Sequence, residues 1–175
     1  MPADPEEKAG PSAWDAALRL LGVRARSRSE MTQRLRHRGF DEDTVADVMA
    51  RLDRAKLLDD EEFAAEWVRS RHTNSGRGRV ALRHELAGKG IDSAIVERVL
   101  ADIDTDDERD TAAALVARKL TGAVVAELTA DAGDRSARDK YFRRLAAMLM
   151  RRGYPQSIAI EVVTEALDTV TASTR

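Results

Sequence analysis

Apolar side chains recur along this chain at intervals of three and four, and the whole pattern occurs three times. Each copy is anchored on a basic residue, a glycine and a large apolar residue: Arg38-Gly39-Phe40, Lys89-Gly90-Ile91 and Arg152-Gly153-Tyr154. Eight positions before each glycine stand Met31, Leu82 and Leu145, and four before stand Leu35, Leu86 and Leu149. Val45, Val96 and Ala159 follow at six positions after it, and Val48, Val99 and Val162 at nine. Met49, Leu100 and Val163 come at ten, then Leu52, Ile103 and Ala166 at thirteen. Steps of three and four keep side chains on one face of a helix, so each copy predicts a helix, a turn and a second helix. The glycine supplies a left-handed cap between them. Asp41 and Asp92 stand where an N-cap is wanted, and Tyr154-Pro155 places proline near the first turn of the third copy.

A further helical pattern precedes each basic helix, over Trp14–Leu21, Asp60–Ser70 and Thr111–Leu120. The expected fold is therefore all-α, built from three tandem three-helix repeats over residues 12–54, 55–104 and 105–168. The turn glycines lie 51 and 63 residues apart, and the extra residues of the third repeat fall in 122–134, as a longer loop or an additional turn. Residues 1–11 and 169–175 read as frayed tails. A unit of about 50 residues buries only a marginal core, so neighbouring units are expected to pack in series.

Composition narrows the class of protein. The chain has 175 residues with 43% hydrophobic content, enough for a core, but 4% aromatics leave that core to Leu, Val, Ile and Ala. Cysteine is absent, which excludes disulfides, thiolate metal ligands and a cysteine nucleophile, and fits a reducing, cytoplasmic setting. No apolar run reaches the ~18–20 residues that span a bilayer.

Charge is sorted rather than excessive. The net charge is −2, yet residues 24–38 carry six Arg and one Glu, 69–89 six Lys/Arg and one Glu, and 135–152 seven Lys/Arg and one Asp. These windows hold +16 between them, so the remainder holds −18. Like charges gain nothing from being gathered, and a polyanionic partner would supply the compensation.

Candidate chemistry thins out on inspection. His37, His72 and His84 do not have the spacing of a helical zinc pair. Asp102-Ile-Asp104-Thr-Asp106 imitates a calcium loop but lacks its glycine and closing glutamate, and reads as an N-capping connection between helices. Asp59-Asp60-Glu61-Glu62 precedes an apolar pattern, where acids favour a helix N-terminus. Gly76-Arg-Gly78-Arg and Gly88-Lys-Gly90 do not form a nucleotide P-loop. No catalytic constellation, metal site or cofactor site emerges. Phe63 and Trp67 read as core anchors, and with so few aromatics nucleic acid would be held by arginine at phosphates rather than by base stacking. Ser75-Gly-Arg77-Gly-Arg79 is the most exposed-looking basic stretch. Its glycines would let backbone approach a phosphate, or simply form the loop leading into the basic helix.

ALRLLGVRARSRSEMTQRLRHRGF, LLDDEEFAAEWVRSR and GRGRVALRHELAGKGI, within Ala16 to Ile91, resemble the RecX regulatory proteins, modulators of the RecA recombinase. The most specific carrier is Leu57-Leu58-Asp59-Asp60 followed by Phe63-Ala64 and then Arg69-Ser70-Arg71, with Trp67, Gly39, Gly90 and Gly153 as further signature or structural residues. The likeness continues more loosely to about Leu167. It implies repeats of helix-turn-helix type in an elongated, curved array. It also implies a non-enzymatic regulator that binds the RecA–DNA filament and suppresses ATP hydrolysis, strand exchange and co-protease activity. Within that reading the partner-facing residues are Arg28, Arg34, Arg38, Arg69, Arg71, Arg77, Arg79, Arg83, Lys89, Arg143, Arg144 and Arg151. Single- and double-stranded DNA would bind more weakly, no membrane is involved, and the chain would act as a monomer. The alternative is a sequence-specific helix-turn-helix regulator reading DNA with one basic helix.

Overall fold

The computed structural model of the protein describes residues 12–130 and 135–173. They form ten helices: α1 (Ala13–Val23), α2 (Arg28–His37), α3 (Glu42–Arg54), α4 (Asp60–Ser75), α5 (Arg79–Gly88), α6 (Ser93–Ala101), α7 (Thr105–Ala117), α8 (Gly122–Ala130), α9 (Arg135–Arg151) and α10 (Gln156–Ala172). Among the described residues there is no strand.

The residues recurring around the turn glycines build the interior. Met31, Leu35 and Leu52 are fully buried with Ala16, Ala17 and Leu58 in a first cluster. Leu82, Leu86 and Leu100 centre a second with Phe63, Val68 and Ile103. Leu149, Val163 and Leu167 centre a third with Val116, Tyr141 and Tyr154. Three small cores thus follow one another along the chain, drawn from α1–α3, α4–α6 and α7–α10.

Local signals fix the helix ends. Gly39, Gly90 and Gly153 adopt φ of 89°, 70° and 89°, the left-handed region in which a side chain is strained. Asp41 and Asp92 cap α3 and α6, accepting hydrogen bonds from the Thr44 and Ala94 amides. Asp59 accepts from the amides of Glu61 and Glu62 and starts α4, so that acidic run serves the helix terminus. Trp67 extends the Phe63 core contact by stacking on its ring, with centroids 6.0 Å apart.

Three features differ from expectation. α7 begins at Thr105, six residues before the periodic pattern, because Asp104 caps it and Asp106, Asp107 and Glu108 fill its acidic first turn. Part of the expected insertion is a helix, α8, whose Leu128 is buried in the third core, while 131–134 lie outside the described residues. The C-terminal stretch is helical through Ala172, with the Thr169 and Thr171 hydroxyls donating to the carbonyls of Glu165 and Leu167. The N-terminal stretch 1–11 lies outside the described residues, as do 174 and 175. Leu57 of the LLDD signature is 44% exposed whereas its neighbour Leu58 is buried.

Candidate functional site

The basic helices α2, α5 and α9 are the candidate site, and the first question is what their cations touch. Six of the expected residues lie between 69 and 89, and all six are in intramolecular ion pairs. Arg69 pairs with Glu66 one helical turn away. Arg71 and Arg77 converge on Glu85 at 3.3 and 3.2 Å. Arg83 grips both oxygens of Glu97 at 2.6 and 2.8 Å. Lys89 reaches Glu30 at 2.7 Å and lies 4.0 Å from the Trp67 ring centroid. Arg79 is bound to Glu108, whose side chain is wholly buried: its backbone amide donates to Oε1 at 2.8 Å and its Nε to Oε2 at 2.7 Å.

The first and third basic helices differ. Arg28 pairs with Asp53 at 2.6 Å. Arg34 and Arg38, four residues apart near the end of α2, are exposed and have no acidic partner among the described residues. On α9, Arg144 and Arg151 lie seven residues apart on one face, also exposed and unpaired among the described residues, with Arg143 beside them. Arg143 spends only its Nε, on the Asp139 carbonyl at 3.2 Å. The expected arginines without an acidic partner among the described residues therefore lie on the first and third helical groups, while those of the middle group are paired, two of them with acids of the neighbouring groups.

Much of the middle window is structural because it forms the joints between groups. Ser27, fully buried at the N-cap of α2, accepts from the Glu30 amide at 3.1 Å and donates its hydroxyl to the Lys89 carbonyl at 2.7 Å. The Arg28 amide donates to Asp60 at 2.9 Å. The second joint repeats this layout. Gly78, the N-cap of α5, donates its amide to the Arg152 carbonyl at 3.0 Å, and Val80 donates to the Gly153 carbonyl at 3.0 Å. The Arg79 amide meets Glu108 as the Arg28 amide meets Asp60. Arg152 returns a hydrogen bond to the Ser75 carbonyl at 2.7 Å, and Tyr154 donates its hydroxyl to Gly76 at 3.3 Å. Sequence reasoning assigned the glycines of Ser75–Arg79 to phosphate approach or to the loop. The second role is the observed one, because a β-carbon on Gly78 would overlap the Gly153 carbonyl group. His72 also spans this joint, its Nδ1 2.8 Å from the Arg77 carbonyl oxygen and its Nε2 3.3 Å from the Thr111 hydroxyl.

Electrostatics at the first joint is tight. Burial pushes the Glu30 carboxyl up, but hydrogen bonds and charge from Arg24 and Lys89 outweigh it and hold the group at about 2. At the second joint, burial pushes the Tyr154 phenol up to about 12. A cleft of about 830 Å³ opens beside this joint, lined by His72, Thr111, Asp107, Asp110, Arg118 and Arg152. Among the described residues no group of three or more His, Asp or Glu side chains could hold a metal ion, and no helix is long and apolar enough to cross a membrane.

Such a chain is a tandem-repeat helical protein, in which equivalent polar joints string three small cores together and the unpaired cations are left at the two ends. Its family follows from comparison with known proteins. The model of the first three-helix domain of RecX matches residues 13–52, and that of the second matches 59–100. The chain is 46% identical over 165 residues to the regulatory protein RecX of Mycolicibacterium vanbaalenii, covering 94% of this chain and 88% of that one. It is 41% identical to the regulatory protein RecX of Amycolatopsis mediterranei, covering 93% and 87%. The fold is similar to the crystal structure of RecX from Lactobacillus salivarius, with a TM-score of 0.73 at 23% identity, covering 90% of this chain and 95% of that one. A second crystal structure of a regulatory protein RecX gives a TM-score of 0.72 at 19% identity, covering 87% and 71%. The chain belongs to the RecX family.

Proposed function

We propose that this protein is a non-enzymatic, cytoplasmic regulator that binds the filament formed by the RecA recombinase on DNA. Bound there, it restrains ATP hydrolysis, strand exchange and co-protease activity. The observation that carries the reading is its likeness, over most of its length, to proteins named regulatory protein RecX. The distribution of charge supports it. Arg34 at one end and Arg143, Arg144 and Arg151 at the other are free to meet phosphates, and every expected cation of the middle group is paired. Two separated weak contacts on one chain gain from effective concentration, so a long phosphate-bearing assembly is held better than either contact alone would hold it. Reading of a single DNA site by a recognition helix is less well supported. Such a helix presents its N-terminal residues to the bases, and those of α2 and α5 are packed into the joints.

The test adds the purified monomer to preformed RecA filaments and follows ATP hydrolysis with time and salt. Hydrolysis should fall, and apparent affinity should weaken with ionic strength by roughly 0.7–0.9 log unit per log unit of salt for each phosphate neutralised. Charge reversal of Arg34, Arg143, Arg144 and Arg151 together should relieve inhibition while leaving the circular dichroism spectrum unchanged. Hydrolysis that ignores an excess of the wild-type chain would remove the proposal.

A further inference from the structure

Both joints bring the N-terminal end of a basic helix onto the basic-glycine turn of the next group. The N-cap residues Ser27 and Gly78 donate to the carbonyls of Lys89 and Arg152, each the residue just before the turn glycine. Ser29 lies against Gly90 and Ala81 against Gly153, so closely that a β-carbon on either glycine would overlap them. Each turn's cation then reaches back to the group it receives, Lys89 to the first-turn carboxylate of Glu30 and Arg152 to the Ser75 carbonyl.

The chain has a third such turn, Arg38-Gly39-Phe40, and among the described residues no helix start is seated on it. Gly39 has the same left-handed backbone as Gly153, yet no heavy atom among the described residues lies within 4 Å of where its β-carbon would be. Nothing among the described residues donates to the Arg38 carbonyl, and the Arg38 side chain is exposed without a partner. We propose that this turn receives the N-terminal end of a helix from a partner protein. That helix would have small residues over its N-cap and first turn, and a carboxylate in that turn for Arg38.

The chemistry is that of the two internal joints. A helix N-terminus carries unsatisfied N–H donors, which the outward carbonyls of the turn accept, as Arg152 and Gly153 accept from Gly78 and Val80. Glycine removes the one substituent that would hold the two backbones apart. A cation beside a first-turn carboxylate completes the contact, as at Lys89 and Glu30. The identity of the partner rests on the reading above, which makes it the recombinase. The docked turn adds a protein contact to the phosphate contacts of the free arginines.

The discriminating variant is Gly39→Asn. Asparagine tolerates the left-handed region and finds open space in the free chain, but it places a side chain where the incoming helix must sit. Binding of the full-length chain to RecA–DNA filaments and to free duplex DNA is measured side by side, with thermal melting as a check on folding. Gly39→Asn should weaken filament binding tenfold or more and leave duplex binding unchanged. Arg38→Glu, which disturbs no internal contact, should weaken filament binding as well, and it serves if Gly39→Asn melts early. Equal filament binding by wild type and both variants overturns the inference and leaves the proposed function standing. Parallel loss of filament and duplex binding overturns it too, by making the turn a phosphate contact. A wild-type chain that ignores the filament overturns both readings.

Discussion

Replacing Glu108 tests whether the joint between the second and third helical groups is a structural element and not a surface decoration. Its carboxylate is wholly buried on α7 and accepts from both the backbone amide and the Nε of Arg79. A hydrogen bond to a charged group is worth about 1.5–3 kcal/mol. Arg79 is 30% exposed and can partly rehydrate, which argues for the lower half of that range. Glu108→Ala removes both bonds and leaves a part-buried amide without its acceptor, so about 3 kcal/mol is expected, at the edge of the ~3–5 kcal/mol found when a buried pair loses one partner. Glu108→Gln keeps a carbonyl for the amide and loses only the charge, and should cost roughly half as much. A domain of this size loses roughly 2–4 °C in melting temperature per kcal/mol, so Glu108→Ala should melt about 6–12 °C lower. The assay is denaturant unfolding read by two probes. Both tryptophans, Trp14 and Trp67, lie in the first two groups, whereas far-ultraviolet circular dichroism reports all ten helices. The two curves should coincide for wild type and separate for Glu108→Ala, as the third group comes loose from the others. Glu97→Ala, at the exposed pair with Arg83, is the control and should be nearly silent. If Glu108→Ala changes stability no more than Glu97→Ala does, the buried pair holds nothing together.

The first joint should lose stability in acid. Glu30 is held at about 2 against an ordinary 4.5, so the unfolded chain takes up its proton first as pH falls. The pair therefore stabilises fully above pH 4.5 and is lost between 4.5 and 2, about 1–2 kcal/mol after allowing for screening by water. Glu30→Gln should flatten that part of the stability–pH curve, and an unchanged slope would refute the assignment. Lys56, which ends α3 with φ of 53°, is strained in the left-handed region. Lys56→Gly should stabilise the chain by roughly 0.5–1 kcal/mol in thermal melts, and destabilisation would show that the terminus needs the lysine side chain.

The elements that could be read from sequence were those fixed by neighbours in sequence. A left-handed turn needs glycine, a helix start takes an Asp cap, and a buried face repeats at three and four. Hence Gly39, Gly90 and Gly153, Asp41 and Asp92, and Met31, Leu82 and Leu149 fall into place. The start of α7 escaped because Thr105–Asp110 has no apolar rhythm, and only Asp104 with the acids after it marks the spot. The state of the cations escaped for a different reason. Window arithmetic counts charges within about 20 residues, whereas Arg79 meets Glu108 across 29 positions and Lys89 meets Glu30 across 59. Three basic windows of similar net charge therefore have unlike fates. In one every cation is paired within the molecule, and two keep arginines without an acidic partner among the described residues. The spacing of 51 residues did mark the joint, since Ser27 and Gly78 occupy the same register, but nothing local shows that a helix start and a distant turn touch.

The two joints share a plan and differ in material, and that difference bears on how the array behaves. The second is made of backbone hydrogen bonds from Gly78 and Val80, a buried carboxylate and a buried phenol. The first depends on the Ser27 hydroxyl and on side-chain pairs nearer the surface, those of Glu30 with Arg24 and Lys89. Water competes for groups at the surface and not for those in the interior, so opening the first joint costs less than opening the second. Any give in the array is thereby concentrated between the first group and the other two. That first group carries Arg34, Arg38 and the Gly39 turn, and α9 of the third carries Arg144 and Arg151. On the proposed function, two firmly joined groups and one more loosely joined, with unpaired arginines on the first and third, would suit a long anionic assembly whose repeat they do not match in detail. A rigid array would have to forgo one contact to make the other.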